Sequence, residues 1–304
     1  MESHNWQNIR QGDRRMHKIG IVTDSHSGIT QEQAAQMGIH VLPMPFYIED
    51  ECFYEGRNLT YEQFMERLKR MDKVSTSQPS PAEVTEIWDQ VLNDHDEIVY
   101  IPISSGLSGS CATAKMLAQE EPYRDKVFVV DNGTVSTLTH RSVLDAQELV
   151  EQGLSAKEIM ERLENAKKRK GIFVTVDNLQ YLKNGGRISS STAIVGDLLR
   201  MKPVLYFDTG RLDVVTKCRG KKKAKAEMIA QVKKLFETDY KKECEDGDMH
   251  LLAASSADVA ETTQWVEEIQ AAFPDMEVLS DPLACSIACH IGPGGLGIGF
   301  SCRP

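Results

Sequence analysis

Apolar positions along the chain follow two periods, close to 2 in short β-branched runs and close to 3.6 in the stretches between them. Lys18–Thr23 is a β-branched run closed by Asp24-Ser25-His26-Ser27-Gly28, and the amphipathic stretch Thr30–Met37 comes next, which predicts strand, loop and helix. The run FYIEDECFYEG carries apolar residues on both sides of Glu49-Asp50-Glu51 and predicts a hairpin or an edge strand pair. Leu59–Met71 sets Phe64, Leu68 and Met71 on one helical stripe. Ser80 is placed to cap the next helix, with Pro81 in its first position and Glu83 completing a capping box, so the hydroxyls of Ser75, Thr76 and Ser77 are expected on a loop. Glu97–Ile103 and Val127–Asp131 read as buried strands, each ending in a Gly/Ser-bearing loop that leads into helical patterning.

Strands that alternate with helices imply a parallel sheet covered on both faces, with ligands at the carboxyl ends of its strands. DSHSG, SSGLSG and DNGT all fall at those ends. From Ser155, which forms a capping box with Glu158, the texture changes. GIFVTV is a strand, YLKNGGRIS leads to a short helix, and two β-rich runs flank Asp208-Thr209-Gly210-Arg211 as an antiparallel hairpin. The expected fold class is α/β: a Rossmann-like parallel-sheet domain over 18–168 and an α+β domain over 169–304. Residues 1–17 are polar and aperiodic and are read as a mobile arm.

Composition narrows the function. The 304 residues carry 35 basic and 45 acidic side chains, a formal charge of -10, which repels a phosphate backbone and argues against nucleic acid as a partner. Seven cysteines without a secretory signal fit reduced thiols and a cytoplasmic location. No run approaches the roughly 20 apolar residues of a membrane span. One basic run, Lys217–Lys225, stands out on this acidic chain as a solvated helix face or a docking patch for an acidic partner.

Four motifs bear on chemistry. Gly292, Gly294 and Gly297 match G-x-G-x-x-G, but Gly297 opens a strand-like run rather than a helix, and Pro293 removes an amide that a phosphate cradle would use. Cys285, Cys289, His290 and Cys302 lack the spacing of a zinc knuckle, and no metal is expected. Ser104, Ser105, Ser108 and Ser110 cluster without the nucleophile elbow G-x-S-x-G, and no oriented acid is visible for His290. The same hydroxyls at a helix N-terminus suit an anion. Gly185-Gly186 before Arg187 either aims a guanidinium at an anionic group or forms a helix C-cap.

These stretches together resemble the DegV family of bacterial fatty-acid-binding proteins. The similar segments are Ile21–Ser25, Thr76–Ser80, Ile103–Gly109, Leu182–Ser189, Lys202–Leu205 and His290–Gly294, in the family's order and spanning roughly residues 18–302. The resemblance implies a DegV-type fold with a long-chain fatty acid buried between the domains. Thr76, Ser104, Ser105 and His290 are implied to bind its carboxylate, and Arg187 and Ser25 to contact the head group or a partner. It further implies a non-enzymatic carrier that presents the acid to a separate ATP-binding subunit of fatty-acid kinase, with no cofactor of its own, no membrane span and at most transient membrane contact. The absence of a Walker motif agrees. His26, Gly28, Thr139 and His140 depart from the residues typical of the family, which bears on chain preference rather than on the head group. The alternatives are a serine esterase or thioesterase using Ser105 and His290, and a lipid-sensing regulator.

Overall fold

In the computed structural model, residues 17–188, 201–207, 210 and 212–304 are described. The arm over 1–16, the short helix expected after Ser189 and most of the turn at 208–211 lie outside them. The chain runs from β1 (Ile19–Asp24) through α1 (Gln31–Met37), β2 (His40–Leu42), β3 (Pro45–Ile48), β4 (Glu51–Tyr54), α2 (Tyr61–Lys69) and β5 (Val74–Thr76). It continues with α3 (Pro81–Leu92), β6 (Glu97–Ile101), α4 (Ser110–Leu117), β7 (Val127–Val129), α5 (Thr137–Glu151) and α6 (Ala156–Asn165). Next come β8 (Lys170–Thr175), α7 (Gln180–Gly185), β9 (Lys202–Phe207), β10 (Asp213–Cys218), α8 (Lys221–Glu237) and α9 (Lys241–Glu245). The chain closes with β11 (Met249–Ser255), α10 (Val259–Ala272), β12 (Val278–Pro282), α11 (Cys285–Ile291) and β13 (Leu296–Cys302).

Local signals set several of these boundaries. Helices α1, α2, α3 and α6 each begin at a capping box, with Thr30/Gln33, Thr60/Gln63, Ser80/Glu83 and Ser155/Glu158 exchanging side-chain and backbone hydrogen bonds. The first sheet is parallel, in the order β2-β1-β6-β7. One face packs Ile21, Val99 and Ile101 against α1, α5 and α6, and the other packs Val22, Ile98 and Tyr100 against Trp88 of α3 and Ala114 of α4. Successive side chains leave a strand on opposite faces, so both faces of these strands must be apolar.

The second sheet has six strands in the order β10-β9-β8-β13-β11-β12, antiparallel except for the pair β11 and β12. On one face, Phe173, Val204, Leu251 and Ile298 pack under α8 and α10, around Met228 and Trp265. The opposite face presents Val174, Leu205, Phe207 and Ala254 toward the first sheet's loops. A third, small antiparallel sheet, β4-β3-β5, contains the expected hairpin. It packs Phe46 and Ile48 against Cys285, Ala288 and Cys289 of α11.

One expectation needs correction. Ser75 and Thr76 lie in β5, paired with Tyr47 and Phe46, and not on a loop. A three-residue strand is too short to leave a period in the sequence, and it exists because β3 offers an open edge. Residues 285–291, to which the sequence reading assigns no element, form α11, buried through Cys285, Ser286, Ala288, Cys289 and Ile291.

Candidate functional site

A cavity of about 280 Å³ lies between the open face of the six-stranded sheet and the loops at the carboxyl ends of β6 and β7. Ile172, Val174, Phe207, Ile103, Val135 and Leu283 give it an apolar wall. Gly297 of β13 also forms part of that wall, between Ile172 and Ala254, so its missing side chain leaves room rather than a turn.

At one end the wall becomes polar. Thr76 at the end of β5 and His290 in the last turn of α11 meet there, with Thr76 Oγ1 3.0 Å from His290 Nε2. His290 Nδ1 is buried and has no hydrogen-bond partner among the described residues. Arg187 completes this end. Its Nε donates to Leu107 O at 3.2 Å, and Nη1 donates to Gly185 O, so the guanidinium ties α7 to the loop after β6. Burial holds the His290 imidazole far below its ordinary basicity, at a pKa of about 3, with the positive field of Arg187 adding to the effect. At neutral pH the ring is an uncharged donor and acceptor.

Three glycines make this arrangement possible. Gly186 closes α7 in the left-handed conformation at φ 68°, its amide donating to Leu182 O and Lys183 O. Gly185 sits against the His290 ring, where a Cβ would overlap Nδ1 and meet Cε1 at 2.9 Å. Gly292, at φ 75°, lies against the Tyr181 ring, which a Cβ would meet at 2.8 Å from Cε2. Of the alternatives posed for Gly185-Gly186-Arg187, the helix cap is present, and Arg187 is also among the residues that line the cavity.

Of the six candidate site residues, Thr76, His290 and Arg187 line the cavity. Ser104, Ser105 and Ser25 do not. Ser105 is exposed, and its Oγ donates to Asp131 Oδ2 at 2.8 Å, a carboxylate that also pairs with Lys167. Ser104 is buried, and its Oγ accepts the Gly106 amide at 3.2 Å. Ser25 Oγ accepts the Met44 amide at 3.0 Å. The loops SSGLSG and DSHSG do reach the cavity, through Leu107, Ser108 and Gly109 in one and His26 in the other. Ser136, at the N-terminus of α5, is a further wall residue that sequence reasoning passed over. Its signal was positional: the DNGT loop comes after a strand and opens a helix, as SSGLSG does.

An outer cleft of about 570 Å³ shares Thr76, Arg187 and His290 with the inner cavity and is lined further by Met71, Lys73, Gln180 and Asn184. Met71 is 63% exposed. The polar end of the cavity is thus a partition between an apolar interior and an open surface. In the basic run, Lys221 pairs with Glu261 and Lys225 with Glu268, while Lys217, Lys222 and Lys223 make no ion pair among the described residues. Among the described residues no helix is long and apolar enough to cross a membrane.

The model of the DegV family, described as uncharacterised proteins, matches residues 18–303. A DegV domain-containing protein of Deinococcus radiodurans is 33% identical over 281 residues, covering 92% of this chain and 97% of its own. A fatty-acid-binding DegV family protein from Thermus thermophilus superposes with a TM-score of 0.83 at 29% identity, over 94% of this chain and 99% of its own. DegV of Bacillus subtilis, described as a fatty acid binding protein, gives a TM-score of 0.80 at 29% identity, over the same 94% and 99%.

Proposed function

The chain belongs to the DegV family, and from that premise we propose that it binds a long-chain fatty acid, its tail in the apolar cavity and its carboxylate against Thr76, His290 and Arg187. One observation carries the reading: an apolar cavity ends on a half-buried imidazole whose buried Nδ1 has no partner among the described residues. A carboxylate leaving water needs several donors at once, and a hydroxyl, an imidazole and a guanidinium converge there. The tail supplies affinity at about 0.8 kcal/mol per buried methylene, enough for a long chain to exceed the cost of association.

The chain acts as a cytoplasmic carrier without chemistry or cofactor of its own, presenting the acid to a separate ATP-binding kinase subunit that forms the acyl phosphate. The shared wall between cavity and outer cleft supports this, because a head group bound there would lie within a partner's reach. Native mass spectrometry of the purified protein tests the binding. A co-purifying long-chain acid is expected, and ligand-free protein that also fails to take up added acid would overturn the reading. Phosphorylation of the bound acid by such a kinase tests presentation, and charge reversal of Lys217, Lys222 and Lys223 should weaken kinase affinity if the basic run docks it.

A further inference from the structure

The cavity has a second polar feature that the carboxylate site does not use. His26 lies just after β1, is 6% exposed and lines the wall. Its Nδ1 lies 3.1 Å from Oδ1 of Asp24, whose other oxygen accepts the Ile103 amide at 2.9 Å. The imidazole is thereby oriented by a buried carboxylate, and Nε2 has no partner among the described residues. Ser136 is bound to the same loop: its amide donates to His26 O at 2.9 Å. Its backbone sits at φ 56° and ψ -139°, a sparsely populated region that a residue with a side chain adopts only when its surroundings fix it. The Ser136 hydroxyl caps no helix amide, is 3% exposed and has no partner among the described residues. It stands at the N-terminus of α5, a 15-residue helix whose first amides carry partial positive charge.

We propose that His26 and Ser136 form a second polar subsite for an oxygen substituent on the acyl chain, so that the preferred ligand is a hydroxylated fatty acid rather than an unsubstituted one. This rests on the fatty-acid-binding reading above and narrows it. When Nδ1 donates to Asp24, a neutral imidazole presents an acceptor at Nε2, while a serine hydroxyl both donates and accepts. A ligand hydroxyl satisfies the two together, donating to Nε2 and accepting from Ser136. A keto oxygen only accepts, and a plain methylene leaves both groups unpaired. His26 and His290 line one and the same cavity, and the substituent is assigned to the carboxyl end of the chain on that ground.

The test is a panel of affinities on delipidated protein: hexadecanoic acid against its 2-hydroxy and 3-hydroxy derivatives, and octadecanoic acid against 12-hydroxyoctadecanoic acid. One of the first two derivatives should bind about tenfold tighter than the parent acid, the size of one net hydrogen bond, and the 12-hydroxy acid should gain nothing. Ser136→Ala should bring that ratio within about twofold, and Ser136→Gly, which suits the positive φ, should do the same if the alanine variant folds poorly. Parent acids that bind as tightly as every hydroxylated partner would overturn the subsite alone, as would a ratio preserved in both variants. Failure of every acid to bind would overturn the fatty-acid reading with it.

Discussion

Replacing Gly185 by alanine adds one methyl group in the place where the His290 ring now lies. The new Cβ would overlap Nδ1 and stand 2.9 Å from Cε1 and 3.2 Å from Cγ, so the ring must leave. It cannot slide, because α11 is packed on β3 through Cys285, Ala288 and Cys289. Rotation about its side-chain bonds breaks the 3.0 Å contact with Thr76 and withdraws the imidazole from the carboxylate. A hydrogen bond to a charged group contributes about 1.5–3 kcal/mol, which sets the expected loss of fatty-acid affinity at about 10- to 150-fold. The backbone does not oppose the change, because Gly185 ends α7 with helical geometry and alanine raises helix propensity by up to about 1 kcal/mol. Gly186 provides the opposite case. No atom lies within 4 Å of the place its Cβ would take, but its φ of 68° makes Gly186→Ala cost about 1–2 kcal/mol of stability with affinity retained. Displacement of a fluorescent fatty acid, read beside thermal unfolding, separates the two. A Gly185→Ala protein that binds within about threefold of wild type would refute the role given to His290.

Acid pH should weaken the ligand-free protein through the same ring. Its folded pKa of about 3 lies below the unfolded value of 6.5, so its contribution is complete above 6.5 and is lost as pH falls toward 3, by about 1.4 kcal/mol per pH unit. Chemical denaturation of wild type and His290→Gln across that window should show the variant with the shallower slope; His250, depressed to about 4 chiefly by burial, adds a background common to both. Gly297→Val should fold, since its Cβ meets Ala254 O at 3.5 Å and Ile172 Cγ2 at 3.6 Å, both ordinary contacts. Displacing two or three ligand methylenes at about 0.8 kcal/mol each should cost roughly thirtyfold in affinity, most for the longest acids in a titration series. Ser105→Ala should leave fatty-acid affinity within about twofold, because Ser105 Oγ bonds Asp131 outside the cavity; a larger drop in the same titration would return it to the binding site.

What the sequence discloses depends on how far each determinant reaches along the chain. Capping boxes join residues three apart and are legible at Ser80 and Ser155. The parallel sheet is legible because each of its strands leads into a loop and a helix, a local order. Helix α11 is hidden because CSIACHI is apolar nearly all round and only seven residues long, without a polar face to reveal its period. The family resemblance names Thr76 and His290 together, although 214 residues separate them and no local pattern could join them. It also names Ser105, whose hydroxyl turns to Asp131 instead. His26 and Ser136 are joined by a backbone hydrogen bond between two loops at the end of one sheet, a contact that composition and period do not encode.

The second sheet explains why the cavity exists at all. Its strands carry apolar residues on both faces, as strands do when helices cover both sides of a sheet. Helices α8 and α10 cover one face through Met228 and Trp265. On the other face Ile172, Val174 and Phe207 look into open volume, and the residues opposite, Ile103 and Val135, belong to loops rather than to a packed helix. Apolar atoms beside a void lack contacts on one side, and water gains little by entering a wall of this kind. A hydrocarbon chain supplies those contacts without asking for hydrogen bonds, and so completes a core that the polypeptide leaves unfinished. On the fatty-acid reading, affinity in this cavity is nonspecific along the apolar wall and discriminating where the wall becomes polar, as at His290 with Thr76 and Arg187 and at His26 with Ser136. On that reading selectivity among acids rests on such polar groups, and chain length on the room that Gly297 leaves along the wall.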